Sequence, residues 1–280
     1  TFEFKDSSLV LGAERIEELI EIIGDRTIAF VGNQTSILRN NTHLVDTLVS
    51  RNVKMVKVFS PEHGFRGTAS AGQKIDNSKD DKTGLPIVSL YGDHKKPTKE
   101  DLDDVELVVF DIQDVGVRFY TYISTLHYVM EACAEHGLPL LVLDRPNPNG
   151  DYIDGPVLEM AHKSFVGMHP VPVVHGMTIG EYASMINGEY WLKDSLQCDL
   201  RVLECKNYHH SMHYSLPVPP SPNLRSDISI RLYPSLCFFE GTSISVGRGT
   251  DHPFEQYGHP DMDKTNFSFK PISKQGAILS

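Results

Sequence analysis

Apolar residues recur along this chain in two patterns, one typical of amphipathic helices and the other of buried strands. Residues 13–23 carry isoleucine and leucine at the i, i+3, i+4, i+7 spacing of a helix, and Gly24 follows as a stop signal. Short apolar runs, each long enough for one strand, occur at 27–31, 54–59, 86–91, 106–112 and 138–143. Nearly continuous apolar strands that alternate with helices are typical of a parallel sheet covered on both faces.

These patterns predict an α/β fold with a Rossmann-like, doubly wound parallel sheet in residues 1–150. Residues 151–280 are richer in proline, histidine and aromatic residues, and we interpret them as a second, smaller α+β auxiliary domain. Within this part, Thr178 and Glu181 have the spacing of a capping box, which predicts a helix that begins after Thr178. Residues 200–203 predict a further strand.

Composition and charge narrow the classes of partner. The formal net charge of -11 argues against nucleic acid, because binding to phosphates requires a basic surface. No apolar run approaches the roughly 20 residues of a transmembrane helix. We therefore expect neither a nucleic-acid partner nor a transmembrane segment.

Polar side chains follow each predicted strand. Because ligands bind beyond the carboxyl ends of the strands in an open parallel sheet, these side chains are candidates for one common site. In chain order they are Asn33, Gln34 and Thr35; Glu62, His63 and Arg66; Tyr91 and Asp93; Asp111, Gln113, Asp114, Arg118, Tyr120 and Tyr122; and Asp144, Arg145 and Asn147. The alternative is a solvated rim of loops, but the repetition at all five strand ends favours a site.

Missing motifs and remaining carboxylates narrow the chemistry further. The chain has neither a G-x-G-x-x-G turn after the first strand nor a G-x-x-x-x-G-K-[ST] loop, so both phosphate cradles are absent. The absence of G-x-S-x-G argues against a serine hydrolase. Carboxylates then remain as the candidate reacting groups, and paired carboxylates are what the cleavage of glycosidic bonds uses. A carboxylate near Glu62 would disfavour ionisation of Glu62 and keep it protonated as a general acid.

Several sequence blocks carry a family resemblance. In chain order they are FSPEHGFRG (59–67), SLYG (89–92), DIQDVGVRFYTY (111–122), DRPNPNG (144–150), HGMTIGE (175–181), and FFEGTSISVGRGT with PFE (238–255). Together they resemble the NamZ-type exo-β-N-acetylmuramidases, which are peptidoglycan hexosaminidases. The blocks extend over nearly the whole chain.

The resemblance implies a Rossmann-like domain and an auxiliary domain with the active site in the cleft between them. It implies release of terminal N-acetylmuramic acid from the non-reducing end of peptidoglycan fragments, without a metal or an organic cofactor. The expected partners are therefore peptidoglycan-derived muropeptides or disaccharides, and the expected location is periplasmic or extracellular. Members of the family continue beyond the PFE block, so we expect the auxiliary domain to be incomplete at its C-terminus.

The resemblance also assigns candidate roles to individual residues. It implies that the carboxylate of the SPEHG block, Glu62, is catalytic. The catalytic candidates are Glu62, His63, Asp111, Asp114, Tyr120 and Glu240. Because N-acetylmuramic acid carries a lactyl carboxylate, arginines are expected among the residues that bind it. The substrate-binding candidates are Asn33, Gln34, Thr35, Arg66, Tyr91, Arg118, Asp144, Arg145, His175 and Arg248.

Two other functions stay open from the sequence. One is a non-catalytic binding module for cell-wall sugars that uses the same cleft. The other is a metal-dependent hydrolase that uses the histidines at 209, 210 and 213, although these lack an i, i+4 pair with a catalytic glutamate. The sequence does not distinguish a retaining from an inverting hydrolase, because that outcome depends on the separation of the two carboxyl groups.

Overall fold

One sheet organises the fold. The computed structural model describes residues 8–62, 64–66, 78–262 and 266–272. Its strands are β1 (Ile28–Gly32), β2 (Met55–Ser60), β3 (Ser78–Lys79), β4 (Pro86–Ser89), β5 (Leu107–Asp111), β6 (Leu140–Leu143) and β7 (Leu200–Leu203). They lie in the order β3-β4-β2-β1-β5-β6-β7, and only the β3–β4 pair is antiparallel.

The strand order is that of a Rossmann-like sheet. Apart from the short β3, the parallel strands follow the order 3-2-1-4-5-6 when numbered along the chain. The predicted α/β class with a doubly wound parallel sheet is therefore confirmed. The order reverses between β1 and β5, and the crevice beyond the carboxyl ends of these two strands is where such folds bind ligands.

The helices include the two that the sequence predicts, one that ends before Gly24 and one that begins after Thr178. They are α1 (Ile16–Ile23), α2 (Leu44–Ser50), α3 (Lys99–Leu102), α4 (Tyr122–His136), α5 (Ile179–Gly188) and α6 (Asp227–Leu236), and a 3-10 helix, Cys237–Gly241, follows α6. At the start of α5, Thr178 accepts a hydrogen bond from the Glu181 N–H, and the Glu181 carboxylate accepts one from the Thr178 N–H. This reciprocal pair is the predicted capping box.

Strand β1 shows why the predicted strands are continuously apolar. Ala29 and Val31 contribute to one core cluster, which contains the buried faces of α4 and α5. Ile28 and Phe30 contribute to a second cluster, which contains the buried faces of α1 and α2. Successive side chains of a strand point to opposite faces, so a strand covered on both sides has no polar position in its middle.

The sheet draws its last strand from the part of the chain that we interpreted as auxiliary. Strand β7 pairs with β6 over Leu140–Leu143, and α5 contacts both strands. The sheet thus continues beyond residue 150, and the domain boundary that we placed at this residue stays a prediction. Among the described residues, no helix is long and apolar enough to cross a membrane.

Candidate active site

The turn after β1 is joined to the end of β5 by buried hydrogen bonds. Asn33 Oδ1 accepts hydrogen bonds from the N–H and the hydroxyl of Thr35, at 2.9 and 2.5 Å. Thr35 Oγ1 in turn accepts from the Gln113 N–H at 3.0 Å. Gln34, the third predicted residue of this turn, donates to the Pro220 carbonyl at 3.0 Å. These contacts fix the turn at the base of the crevice, between the ends of the two central strands.

Asp111 and Arg145 form a buried ion pair beside this turn. Arg145 Nε and Nη2 donate to the two Asp111 carboxylate oxygens at 2.5 and 2.9 Å, and Nη2 also donates to the Ile37 carbonyl at 3.3 Å. Neither side chain is more than 1% exposed. Bidentate pairs of this kind fix geometry. The pair therefore joins the end of β5 to the loop after β6, and both Asp111 oxygens are already occupied.

Arg66 anchors the loop that carries Glu62. Its guanidinium donates to both oxygens of Asp80 at 2.9 and 2.7 Å, and to Asp46 at 2.9 Å. Burial opposes ionisation of Asp80, but the hydrogen bonds from Arg66 prevail and hold its pKa at about 2. The structure thus pairs Arg66, which we expected to bind the lactyl carboxylate, with two carboxylates of the protein. His63 lies outside the described residues.

Glu62 faces two residues that come from other parts of the chain. Burial, together with the charge of Glu62 and a hydrogen bond to it, raises the pKa of Tyr91. Burial also raises the pKa of Glu240. The charge of Arg248 opposes this rise, and the charge of Glu62 adds to it. The Glu240 side chain is surrounded by protein but 31% exposed, and it pairs with Arg248. The charge of Glu62 therefore acts on Glu240, and the two carboxylates lie near each other.

A cluster of buried tyrosines connects these two carboxylates. The Tyr120 ring packs edge-on against Tyr122 and Tyr233, with ring centroids 4.9 and 5.9 Å apart. Tyr233 hydrogen-bonds Glu240. Burial raises the pKa of Tyr122, and the charge of Glu62 adds to this effect. The cluster therefore forms an aromatic floor that joins Glu62 on one side to Glu240 on the other.

Asp114 and His175 lie next to the tyrosine floor. Asp114 Oδ2 accepts a hydrogen bond from the Gly116 N–H at 2.7 Å and lies 3.7 Å from His175 Nε2. Gly116 has a φ of 75°, and a Cβ there would lie 2.2 Å from the Asn147 side chain. A left-handed backbone and this close approach both require glycine. The turn thereby fixes the position of one Asp114 oxygen.

The remaining predicted residues have partners of other kinds. Arg118 Nη1 donates to the Pro156 and Val171 carbonyls at 2.8 and 2.5 Å. Asp144 accepts from the Gly180 N–H at 2.8 Å, at the start of α5. Burial raises the pKa of Asp144 to about 6, although hydrogen bonds from Gly180 and Thr178 oppose the shift. Asp144 therefore lies beneath a helix N-terminus.

Metal-ligand geometry can be assessed only for the part of the chain that the structure describes. There, no group of three or more histidine, cysteine, aspartate or glutamate side chains is arranged to hold a metal ion. The histidines at 209 and 210 have other partners: His209 lies 2.9 Å from the Ser211 hydroxyl and His210 3.0 Å from a Glu181 oxygen.

Comparison with known proteins identifies the family. Residues 28–228 match the family model described as exo-beta-N-acetylmuramidase NamZ, N-terminal, and residues 231–276 match the C-terminal model of the same name. The chain belongs to this family. The resemblance seen in the sequence blocks is thereby confirmed.

One named protein and two solved structures are similar to this chain. The chain is 46% identical over 246 residues to the peptidoglycan beta-N-acetylmuramidase NamZ of Bacillus subtilis (strain 168), covering 86% of this chain and 58% of that protein. It therefore spans less than two thirds of this relative. Two DUF1343 family proteins from Bacteroides fragilis NCTC 9343 superpose with TM-scores of 0.89 and 0.84, at 48% and 34% identity. The matches cover 96% and 92% of this chain, and 72% and 67% of those chains.

Sequence reasoning did not select two members of the tyrosine cluster. Tyr122 follows a predicted strand but is not among the predicted catalytic or substrate-binding residues, and Tyr233 lies inside α6, away from any strand end. A search of strand ends cannot find a residue such as Tyr233. Its only sequence signal is its position a few residues before Glu240.

Proposed function

We propose that this protein is a glycoside hydrolase that releases terminal N-acetylmuramic acid from the non-reducing end of peptidoglycan fragments. The observation that carries the proposal is the proximity of Glu62 to Glu240, on which the charge of Glu62 acts, beside a cluster of buried tyrosines. Paired carboxylates with separated pKa values are the machinery of glycosidic cleavage. Membership in the NamZ family supports the choice of substrate.

The environments of the two glutamates suggest different roles. Glu240 has a raised pKa, so it is the member of the pair that more readily keeps a proton to donate to the glycosidic oxygen as the bond to the anomeric carbon breaks. Glu62, which is hydrogen-bonded by Tyr91, is then the carboxylate that faces the positive charge developing at the anomeric carbon. This division reverses the role of general acid that we expected for Glu62 from the sequence.

The first experiment compares Glu62→Gln and Glu240→Gln on two chromogenic N-acetylmuramides, one with a nitrophenyl and one with a dinitrophenyl leaving group. The better leaving group needs little protonation, so Glu240→Gln should recover most of its activity on it. Glu62→Gln should lose about 10²–10⁴-fold on both substrates, the usual contribution of such groups. Asp151→Asn is the matched control, since this exposed carboxylate pairs with Arg231 on the surface.

Other outcomes would overturn parts of the proposal. Unchanged turnover in Glu62→Gln would remove Glu62 from the reaction. Equal losses on both substrates for Glu240→Gln would remove Glu240 as the acid. A wild-type chain that binds muropeptides but never liberates reducing sugar would instead favour the binding-module function.

We further propose a periplasmic or extracellular location, because peptidoglycan fragments are formed outside the cytoplasmic membrane. Family membership is what supports this location. Fractionation of cells that express the full-length protein, followed by immunodetection, would test it, and retention in the cytoplasmic fraction would refute it.

A further inference from the structure

The four cysteines of the chain differ in what their sulfur atoms contact. Cys205 and Cys237 each donate to a backbone carbonyl, at 3.2 and 3.4 Å. Cys133 and Cys198 instead make a side-chain hydrogen bond to each other. Both are thiols in the structure, and they are 1% and 5% exposed. Two sulfur atoms from distant parts of the chain therefore meet inside the core.

Backbone contacts and helix packing hold these two thiols together. Cys133 lies on the buried face of α4, and Cys198, which precedes β7, belongs to the same core cluster. Asn187, in α5, donates its side-chain amide to the Cys198 carbonyl at 3.1 Å and accepts from the Cys198 N–H at 2.8 Å. Helix α5 in turn contacts α4. The meeting of the thiols is thus set by the fold and not by the free ends of flexible side chains.

The surroundings of the pair argue against two other roles for cysteine. The neighbouring Cys198 thiol and burial both raise the pKa of Cys133. Because the thiolate is the reactive form of cysteine, a raised pKa opposes a role as a nucleophile. In the part of the chain that the structure describes, neither thiol belongs to a group arranged to hold a metal ion. A disulfide needs only that two cysteine side chains approach each other closely, which these two do.

We propose that Cys133 and Cys198 form a disulfide bond when the chain folds in oxidising surroundings. The oxidant is a disulfide, such as glutathione disulfide or the oxidised dithiol of a carrier protein. One protein thiolate displaces a thiol from this donor to form a mixed disulfide, and the second protein thiol then displaces the other. Two S–H bonds of the protein are replaced by one S–S bond, and the donor takes up two electrons and two protons and leaves as two thiols.

In cells, the formation of this bond rests on the proposed periplasmic or extracellular location, because disulfides persist in oxidising compartments. The bond would join α4 to the segment before β7 and close a loop of about 65 residues, which contains β6 and α5. A cross-link over such a loop restricts the unfolded chain and so favours the folded one. We expect the Tm of the oxidised chain to exceed that of the reduced chain by roughly 5–15 °C.

The experiment maps the bond in the wild-type chain. The chain is reduced, unfolded in urea and refolded with glutathione disulfide, and thiols that remain are alkylated in denaturant before digestion. Mass spectrometry without reductant should find one linked pair of peptides, which carry Cys133 and Cys198, and should find Cys205 and Cys237 alkylated. Dithiothreitol should separate the pair and lower the Tm.

Two variants provide the matched comparison. Cys237→Ser keeps a donor for the Pro234 carbonyl, so this variant should retain both the linked peptides and the difference in Tm between oxidised and reduced chains. Cys198→Ser should lose both. If Cys198→Ser does not fold, the map of the wild-type chain still decides.

Three results would overturn the proposal: four alkylated cysteines after refolding, a link that involves Cys205 or Cys237, or an oxidised chain whose Tm does not exceed that of the reduced chain. None of these readouts uses a sugar substrate, so their failure is distinct from failure of the proposed hydrolase. An inactive chain that forms the Cys133–Cys198 link would refute the hydrolase and support the disulfide. A cytoplasmic location would refute the proposed location, whereas the link formed during refolding does not depend on it.

Discussion

Replacement of Arg145 by methionine tests whether Asp111 holds the fold together or takes part in the reaction. The substitution keeps much of the side-chain volume but removes the two hydrogen bonds, at 2.5 and 2.9 Å, that neutralise Asp111. Because Asp111 is 0% exposed, its carboxylate would be left buried without a cation. Breaking a buried ion pair in this way costs roughly 3–5 kcal/mol.

The double variant Asp111→Leu/Arg145→Met separates the charge effect from packing. It removes both charges, and such replacements are often neutral or stabilising by about 1–4 kcal/mol relative to the ion pair. Stability can be followed by urea unfolding, with the fluorescence of the single tryptophan as the signal. That residue, Trp191, stacks on the buried His169 with ring centroids 5.0 Å apart, so unfolding changes its surroundings.

Two results would refute the reasoning. A change of less than about 1 kcal/mol in Arg145→Met would show that the buried charge is tolerated, against the usual cost of 3–5 kcal/mol. A double variant that regains stability but stays inactive would return Asp111 to the list of reacting carboxylates. If the pair is structural, stability and turnover should be recovered together.

The remaining predictions concern the loop of Glu62 and two perturbed carboxyl groups. Arg66→Met should release the loop and lower kcat/KM by up to about 10²-fold, the usual effect of misplacing a catalytic group, while the urea midpoint falls less than in Arg145→Met. For Asp144, a folded pKa of about 6 against an ordinary value of 3.8 means that its stabilising contribution is complete below about pH 4 and is lost as the pH rises through 6. The urea midpoint of the wild type should therefore improve relative to Asp144→Asn as the pH falls across that window; a constant difference would contradict the shift. Because Arg248 opposes the raised pKa of Glu240, Arg248→Met should move the alkaline limb of the pH profile of kcat/KM to higher pH. An unmoved limb would argue against Glu240 as the acid.

Local patterns predicted most of the fold because they report on burial and capping. The apolar run at 200–203 became β7 with the same bounds, and the Thr178–Glu181 spacing became a capping box. Strand ends predicted which residues gather near the crevice, since the carboxyl ends of parallel strands meet at one edge. These inferences need only the period of the side chains and the direction of the strands.

Pairing between distant residues could not be predicted in the same way. Asp111 and Arg145 both follow strands and both looked available, but they neutralise each other across neighbouring strand ends. Arg66 likewise forms ion pairs with Asp46 and Asp80. Sequence shows which charges reach the edge of the sheet but not which are already satisfied, because that depends on side-chain distances of a few ångströms.

These pairings explain why the second carboxylate of the proposed pair comes from outside the sheet. Asp111 is neutralised by Arg145, and Asp114 is fixed by the Gly116 N–H. Neither of these two buried aspartates at the end of β5 and after it is therefore an exposed partner for Glu62. The 3-10 helix after α6 brings in Glu240, and an edge-on contact between Phe119 and Phe238, 5.5 Å between ring centroids, holds that helix against the loop after β5. Two neighbouring carboxylates repel each other, and the ion pair with Arg248 offsets this repulsion at Glu240. The proposed reactive pair therefore depends on the packing of the C-terminal segment as much as on the Rossmann-like sheet.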